Sequence, residues 1–131
     1  MTQITKAEHQ EMDALANRFF NAIERADFDA VKQIYSPDVE YWVNVRDESR
    51  GLNAVLELVK QFSLKVKNMH YDVESREFFP GGFVQRCRVT GELSSGESLS
   101  VPVCLVIHIE DGQISRLYEY LDAASIMHVL A

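Results

Sequence analysis

The sequence predicts an α+β domain in which helices pack against one face of an antiparallel sheet. Three observations predict this class. Apolar residues recur at helical spacing in the first half of the chain, β-branched and aromatic runs fill the second half, and short turn signals separate those runs. Consecutive strands joined by tight turns form hairpins, and the helices that precede them have an apolar stripe to bury.

Three helices are expected in the first half. The first has an apolar stripe at i, i+3, i+4 and i+7 spacing, formed by Met12, Leu15, Ala16, Phe19, Phe20 and Ile23. Asp27 is the predicted N-cap of the second, DFDAVKQIY, which the Pro37 segment ends because proline cannot continue a helix. The third, GLNAVLELVKQF, buries Leu52, Val55, Leu56, Val59 and Phe62.

The strands are predicted from β-branched and aromatic runs bounded by turns. In sequence order they are DVEYWVNV, MHYDVESREFF, FVQRCRVTGEL, LSVPVCLVIHIE and QISRLYEYLD. The turns are Gly81-Gly82, Ser95-Gly96 and Asp111-Gly112. The tail, ASIMHVLA, is interpreted as a last helix. A strand of this kind shows its side chains alternately on two faces, so Tyr41 and Trp42 point to opposite sides.

Composition limits the function. A chain of 131 residues fits one domain spanning 1–131, and its formal charge of −7 argues against nucleic acid and anionic membranes as partners. No apolar run approaches the ~18 residues that a membrane span needs, and the polar start predicts no secretory signal. Two cysteines make no disulfide framework, which favours the reducing cytoplasm, and the four histidines show no metal-ligand spacing.

Glu119 is an acidic residue in the middle of the aromatic strand LYEYLD. Its carboxylate points either to water or into a pocket, where it could have a function. A two-residue Asp111-Gly112 loop would pair Glu110 with Gln113. Continued along the ladder, that register places Cys104 opposite Glu119 and Val106 opposite Leu117. We therefore expect Cys104, Val106, Leu117 and Glu119 on one face.

The preceding hairpin has two possible registers. A two-residue Ser95-Gly96 loop places Cys87 opposite Cys104, whereas a three-residue loop with a bulge places Arg86 opposite Cys104. In the second case Arg86, Cys104 and Glu119 form one row across three strands. A slip of one residue separates the two outcomes, and the sequence leaves both open. Both sheet faces need cover, and a second subunit is the simplest cover for the face without helices.

The segments FFNAIERADFDAVKQIYSPDVEYW, RGLNAVLELV, RCRVTGEL and VIHIEDGQISRLYEYLD resemble the SnoaL-like members of the nuclear-transport-factor-2-like superfamily. The resemblance covers nearly the whole chain. It implies a cystatin-like curved antiparallel sheet that forms a cone closed by three N-terminal helices, with a pocket inside. It also implies homodimerisation through the outer sheet face. The fold hosts enzymes and non-enzymes, so it leaves the chemistry open.

Ungapped matching to characterised members of the superfamily suggests site residues. Ketosteroid isomerase activity is not expected, because Phe19, Cys104 and Trp42 stand where that enzyme needs a tyrosine and two acids. Compared with limonene-epoxide hydrolase, Arg86 matches an arginine, Glu119 an aspartate and Asn44 an asparagine. Trp42 or Tyr41 matches the tyrosine. Arg88 stands where that enzyme has a second aspartate, which argues against epoxide hydrolysis.

The function expected from these observations is cofactor-free acid/base chemistry, namely isomerisation, cyclisation, dehydration or hydrolysis, on a hydrophobic small molecule, for which a cyclic compound would fit. Glu119 is the predicted proton carrier, with Arg86 as its partner or as an anion stabiliser and Asn44 as a positioning residue. The remaining candidates for substrate contact are Trp42, Tyr41, Arg88, Cys104, Val106 and Leu117. No metal or cofactor is expected. The alternative is a non-catalytic ligand-binding or dimerisation module, and structural roles for each of these side chains remain open: an ion pair for Glu119, and inert packing for Cys104.

Overall fold

The computed structural model describes residues 3–130, with the side chains of residues 3–126. Its helices are α1 (Lys6–Glu24), α2 (Phe28–Ile34), α3 (Leu52–Lys65) and α4 (Ala123–Leu130). Its strands are β1 (Tyr35–Val43), β2 (Glu48–Arg50), β3 (Val66–Phe79), β4 (Gly82–Leu93), β5 (Ser98–Glu110) and β6 (Gln113–Leu121). Among the described residues, no helix has both the length and the apolar character needed to cross a bilayer.

Helices α1 and α2 each begin after a side chain that caps the helix. Thr5 accepts a hydrogen bond of 3.1 Å from the Glu8 amide at the start of α1, and the predicted apolar stripe of that helix is buried. The Asp27 carboxylate accepts the Ala30 amide at 3.2 Å, which confirms it as the N-cap of α2. Helix α2 ends at Ile34, and Pro37 lies inside β1. The predicted helices therefore form with their apolar faces toward the sheet.

One six-stranded sheet runs in the order β2-β1-β6-β5-β4-β3. Strands β3 to β6 form the predicted antiparallel meander, whereas β1 pairs with β6 in parallel, so the curved sheet is mixed. Its inner face packs against α1, α2 and α3 around a core that contains Phe19, Phe83 and Ile107. This arrangement confirms the α+β class and the sheet-with-helices architecture expected from the sequence.

The hairpin between β4 and β5 adopts the three-residue alternative. The Leu93 amide donates to the Glu97 carbonyl at 2.9 Å, and Gly96 has φ of +90°, a conformation that glycine adopts without strain. Arg86 consequently lies opposite Cys104, and Cys87 lies opposite Val103. The two cysteines are not cross-strand partners.

The hairpin between β5 and β6 starts as predicted and then departs from the prediction. Glu110 pairs with Gln113, but Ser115 is an extra residue on β6 and bulges out of the ladder. The Ser115 hydroxyl donates to the His108 carbonyl at 3.2 Å. Because side chains alternate with period two, one inserted residue moves every later β6 side chain to the other face.

This bulge overturns two predicted pairs. Glu119 lies opposite Leu105 rather than Cys104, and Leu117 lies opposite Ile107 rather than Val106. The partners of Cys104 and Val106 are Tyr120 and Tyr118. The predicted row of Arg86, Cys104 and Glu119 is therefore wrong: its first two members are neighbours on the outer face, while Glu119 joins the apolar inner face beneath the helices.

Candidate functional site

An apolar cavity of about 140 Å³ lies between the inner sheet face and the helices. Helices α1 and α3 form one wall, strands β1, β3, β4, β5 and β6 form the opposite wall, and the loop after β1 also lines the cavity. The aromatic residues that line it are Phe19, Phe20, Tyr35, Tyr41, Phe62 and Tyr71. Glu119 is the one carboxylate among the described residues that line the cavity. The cavity is therefore apolar with a single acidic group.

Glu119 is held by a hydrogen bond from a neighbouring strand. The Tyr41 hydroxyl donates to Glu119 Oε1 at 2.6 Å, a distance typical of a hydroxyl bound to a carboxylate. Tyr41 lies beside Leu117 and Val43 lies beside Glu119, so the contact runs diagonally between the parallel strands β1 and β6. The bond holds the carboxyl group in the cavity wall.

Burial controls the protonation of Glu119. The residue as a whole is partly exposed because it borders the cavity, but its carboxyl group is buried. Loss of hydration raises the pKa of Glu119 above its ordinary value, and the hydrogen bond from Tyr41 opposes this rise. No ion pair to Glu119 is found in the described part of the chain. The pKa of Glu119 is thus set by desolvation and by the hydrogen bond from Tyr41, and no basic side chain in the described part of the chain forms an ion pair with it.

Three tyrosines share the cavity with this carboxyl group. Burial, followed by the nearby charge of Glu119, raises the pKa of Tyr35, Tyr41 and Tyr71 well above the usual value for a phenol. All three hydroxyls therefore stay protonated across the physiological range and are able to donate hydrogen bonds. Arg46, exposed in the turn after β1, is the one cation that lines the cavity among the described residues.

Three of the residues singled out from the sequence line this cavity: Tyr41, Leu117 and Glu119. Arg86, Arg88, Cys104 and Asn44 instead border an open depression on the outer side of the sheet. Arg86 pairs with Glu74 at 3.3 Å, and Arg88 donates to the Ser100 hydroxyl at 3.2 Å. The expected contact of Arg86 with Glu119 is wrong because the two side chains lie on opposite faces.

Trp42 and Val106 also belong to the outer face. Trp42 donates its indole N–H to Asp47 at 3.0 Å and packs against Tyr120 with ring centroids 5.1 Å apart. Val106 pairs with Tyr118 on β6 and with Val84 on β4. Neither residue lines the inner cavity. Of the two candidates for the tyrosine position, Tyr41 is the one that contacts Glu119.

Asn44 contacts the backbone at the end of β6. Its side-chain N–H donates to the Leu121 carbonyl at 3.1 Å, and its side-chain oxygen accepts the Leu121 amide at 3.0 Å. The backbone N–H of Asn44 also donates to the backbone carbonyl of Glu119 at 3.0 Å. These bonds extend the parallel pairing of β1 and β6 past the end of β1. Asn44 therefore holds the strand that carries Glu119, and its side chain lies outside the cavity.

Sequence reasoning missed Tyr35, Tyr71 and Arg46. Tyr35 is the last residue of the predicted second helix, DFDAVKQIY, but in the structure it is the first residue of β1. Tyr71 faces inward opposite Val89 on β4. Side chains alternate between the two faces of a strand, so counting along β3 could have placed Tyr71 on the inner face. The bulge between Lys67 and His70 interrupts this alternation and cannot be read from the sequence.

No group of three or more potential metal ligands is found within the described residues. Cys87 is a buried free thiol, and burial raises its pKa to about 11, which keeps it uncharged and unreactive as a nucleophile. The chemistry that the described cavity offers is therefore that of one buried carboxyl group and three phenols.

Comparison with known proteins now decides the family. The sequence profile of the SnoaL-like domain matches residues 16–117, most of the chain. The chain belongs to the SnoaL-like domain family. This SnoaL-like domain contains the α+β sheet and the cavity described above, and the match confirms the resemblance drawn from its sequence. A search of curated proteins finds no match.

Solved structures agree with the fold of this SnoaL-like domain. A limonene-epoxide-hydrolase-like epoxide hydrolase from M. tuberculosis superposes with a TM-score of 0.75 at 20% identity, over 92% of this chain and 90% of the other. A proposed SnoaL-like polyketide cyclase from Shewanella putrefaciens CN-32 gives 0.77 at 12% identity, over 92% and 96%. A protein of ketosteroid-isomerase-like fold from Catenulispora acidiphila, solved with trimethylamine, gives 0.76 at 11% identity, over 87% and 89%. At these identities the likeness shows the fold.

Proposed function

We propose that this SnoaL-like domain is a cofactor-free acid/base enzyme that acts on a small hydrophobic molecule, with Glu119 as the proton carrier. The observation that carries the proposal is the Glu119 carboxyl group, buried in the wall of an apolar cavity and held by Tyr41 at 2.6 Å. A carboxyl group with a raised pKa exchanges protons near neutral pH more readily than an exposed one.

In this proposal Tyr41 is the partner of Glu119, a role that the sequence analysis assigns to Arg86. Its hydrogen bond keeps one carboxyl oxygen oriented and prevents the pKa of Glu119 from rising further. Asn44 supports the site indirectly, because it binds the backbone of β6 two residues after Glu119. The reaction classes that fit are isomerisation, cyclisation, dehydration and hydrolysis, all of which require one group that gives and takes a proton.

The comparisons support a small-molecule activity in general terms. An epoxide hydrolase and a proposed polyketide cyclase share this fold, and a third protein of the fold was solved with a small organic amine. The enclosed apolar walls are also compatible with ligand binding without turnover, which is the second candidate function.

The test is a panel of one-ring compounds that represent the four reaction classes, monitored by proton NMR with purified protein. Glu119→Gln removes the titratable carboxyl group and keeps the shape of the side chain. Glu77→Gln, at an exposed position on β3, is the matched control. We expect turnover by the wild type and the control and at least a 100-fold loss in Glu119→Gln, about 2.7 kcal/mol of barrier.

Two results would contradict the enzyme assignment. One is full turnover by Glu119→Gln. The other is binding of panel compounds in the cavity, located by chemical-shift changes at Tyr41 and Leu117, without conversion of any of them. The second result supports the ligand-binding module instead.

A further inference from the structure

Arg46 carries the one positive charge in the cavity wall among the described residues. It belongs to the turn after β1, and its side chain is exposed. Because an exposed residue that also lines the cavity borders both solvent and the interior, Arg46 marks the mouth. Its guanidinium makes no hydrogen bond or ion pair within the described part of the chain.

The acidic residues that follow Arg46 in the sequence are bound to other partners. Asp47 accepts the indole N–H of Trp42 at 3.0 Å, and Glu48 pairs with Arg50 at 3.4 Å. The guanidinium of Arg46 therefore keeps its five N–H donors available to a ligand. On a chain with a formal charge of −7, it is a local site of attraction for an anion.

The turn that carries Arg46 is anchored on both sides. The Asn44 side chain bonds the backbone N–H and carbonyl of Leu121 on β6. The backbone N–H groups of Arg46 and Asp47 both donate to the Val43 carbonyl, at 3.3 Å and 2.9 Å. The base of the Arg46 side chain is thus placed before any ligand binds, which lowers the entropic cost of binding there.

Arg46 and Glu119 lie at the same end of the cavity. The backbone N–H of Asn44 donates to the backbone carbonyl of Glu119 at 3.0 Å, and Arg46 is the second residue after Asn44. Two residues of chain span at most about 7 Å, which limits the distance between the Cα atoms of Asn44 and Arg46. Since Arg46 and Glu119 form no ion pair with each other, the cation stays free beside the proposed proton carrier.

The rest of the wall defines the body of the ligand. Apart from Arg46, Glu119 and the three tyrosines, every described residue that lines the cavity is apolar. The volume of about 140 Å³ is close to the ~150 Å³ of an apolar protein cavity that admits benzene. A ligand that matches this wall has an apolar body of about one ring and a negative charge that reaches the mouth. Among anions, a carboxylate suits a guanidinium because two parallel N–H···O bonds form between them.

We propose that Arg46 binds a carboxylate group at the mouth of the cavity, and that the ligand is a monocarboxylate whose apolar body is about one ring in size. The proposal rests on the proposed function for the choice of this cavity. It concerns binding, however, and does not require Glu119 to transfer a proton.

The experiment compares two ligands of the same shape. Phenylacetate carries a carboxylate, and phenylacetamide carries a neutral amide in its place. Dissociation constants are measured by ¹H–¹⁵N chemical-shift titration of the full chain at low ionic strength, with shifts at Tyr41 and Leu117 to locate the ligand in the cavity. We expect phenylacetate to bind at least 5-fold more tightly than phenylacetamide. The preference should shrink in about 0.5 M sodium chloride, because salt screens a charge pair at the mouth.

Two variants of Arg46 test its part in this preference. Arg46→Met removes the charge and should bring the two dissociation constants within about 2-fold of each other. Arg46→Lys keeps the charge without the planar fork and should retain an intermediate preference. Arg18→Met makes the same change at an exposed position of α1 outside the cavity and should keep the full preference. Since the Arg46 side chain has no partner among the described residues, its variants should fold normally.

A spectroscopic readout separates direct contact from a general effect of charge. The Nε–H resonance of Arg46 is identified by its absence in Arg46→Met. It should shift on addition of phenylacetate and stay in place on addition of phenylacetamide. Equal affinity of the wild type for the two ligands overturns the proposal. So does a preference that persists in Arg46→Met, or an Arg46 resonance that does not move at saturating phenylacetate.

Failure of this proposal and failure of the enzymatic proposal give different results. Glu119→Gln should bind phenylacetate at least as tightly as the wild type, because the variant removes a negative charge from the cavity wall. If Arg46→Met keeps the preference while Glu119→Gln loses turnover in the panel assay, the carboxylate proposal alone fails. If Arg46→Met loses the preference while Glu119→Gln keeps full turnover, the enzymatic proposal alone fails.

Discussion

The Tyr41 hydroxyl lies 2.6 Å from Glu119 Oε1 and joins strands that are parallel neighbours but distant in sequence. Both side chains reach the inner face, where most of the surrounding residues are aliphatic or aromatic. The contact links the protonation state of the one carboxyl group in the described cavity to the pairing of β1 with β6. A change at Tyr41 should therefore be visible in the titration of Glu119.

Replacing Tyr41 with phenylalanine tests this link. Burial is the main cause of the raised pKa of Glu119, and the Tyr41 hydrogen bond is the opposing influence. Tyr41→Phe should therefore raise that pKa further, because desolvation then acts unopposed. We expect a destabilisation of about 1–3 kcal/mol at pH 8, where the carboxylate is left without its donor. The measurement is ¹³C NMR titration of the glutamate carboxyl carbons, with urea denaturation for stability.

Tyr118→Phe provides the control for Tyr41→Phe, since Tyr118 is on the outer face opposite Val106. It should leave the titration of Glu119 unchanged. An unchanged or lower pKa of Glu119 in Tyr41→Phe would show that the hydrogen bond does not govern its protonation.

The pH dependence of stability offers a second test of the buried carboxyl group. Because the pKa of Glu119 is higher in the folded protein than in the unfolded chain, the folded state binds more protons between those two values. The free energy of unfolding therefore falls as pH rises from the unfolded pKa through the folded pKa, and then levels off. Each unit of pKa elevation corresponds to about 1.4 kcal/mol.

Glu119→Gln removes this proton linkage. The difference in unfolding free energy between Glu119→Gln and the wild type should shift in favour of the variant as pH rises from about 4 to 9. Urea denaturation at pH steps across this range provides the measurement, and Glu77→Gln shows the effect of losing an exposed carboxylate. A pH-independent difference for Glu119→Gln would mean that its carboxyl group titrates as it does in the unfolded chain.

The helices and turns were predictable because their signals are local. The apolar stripe of α1, the Asp27 cap and the Asp111-Gly112 turn all depend on residues close in sequence. The bulge at Ser115 left no comparable signal, since serine fits a strand, a turn or a bulge. That one residue moved Glu119 from the face that carries Cys104 and Val106 to the apolar inner face.

The candidate site was predictable only in part for the same reason. Glu119 was recognised by its unusual place in an aromatic strand, and Tyr41, which binds it, was one of two candidates for the tyrosine position. The prediction that Arg86 contacts Glu119 depended on the strand registers of two successive hairpins. Each register depends in turn on a bulge or on the length of the loop. Tyr35 and Tyr71 reach the cavity through tertiary packing against α1, which no local pattern encodes.

Arg86 provides a prediction that separates the observed register from the expected one. Its side chain is 67% exposed, and its guanidinium pairs with Glu74 at 3.3 Å on the outer side of the sheet. Arg86→Met should change the free energy of unfolding by less than about 1 kcal/mol, as is usual for exposed ion pairs. It should also leave the pKa of Glu119 unchanged in ¹³C NMR titration. A clear rise in that pKa would support the contact with Arg86 that the sequence suggested.

We predict that the protein forms a homodimer through the outer face of the sheet. Trp42 and Tyr120 pack together at 5.1 Å, and Tyr120 is 46% exposed. Acidic and basic side chains border this aromatic cluster, with Arg116 and Glu40 4.0 Å apart. A surface with an aromatic centre and charges of both signs is complementary to a second copy of itself.

Tyr120→Glu should convert the dimer to a monomer, because the charge would lose its hydration at the centre of the interface. Sedimentation equilibrium would then change from twice the chain mass of 15.0 kDa to that mass. Leu64→Glu, at a site on α3 that is 74% exposed, makes a similar change away from the sheet and should remain dimeric. A wild-type protein that is monomeric at high micromolar concentration would contradict the assignment. Equal dissociation in both variants would place the interface elsewhere, since only Tyr120 belongs to the outer face.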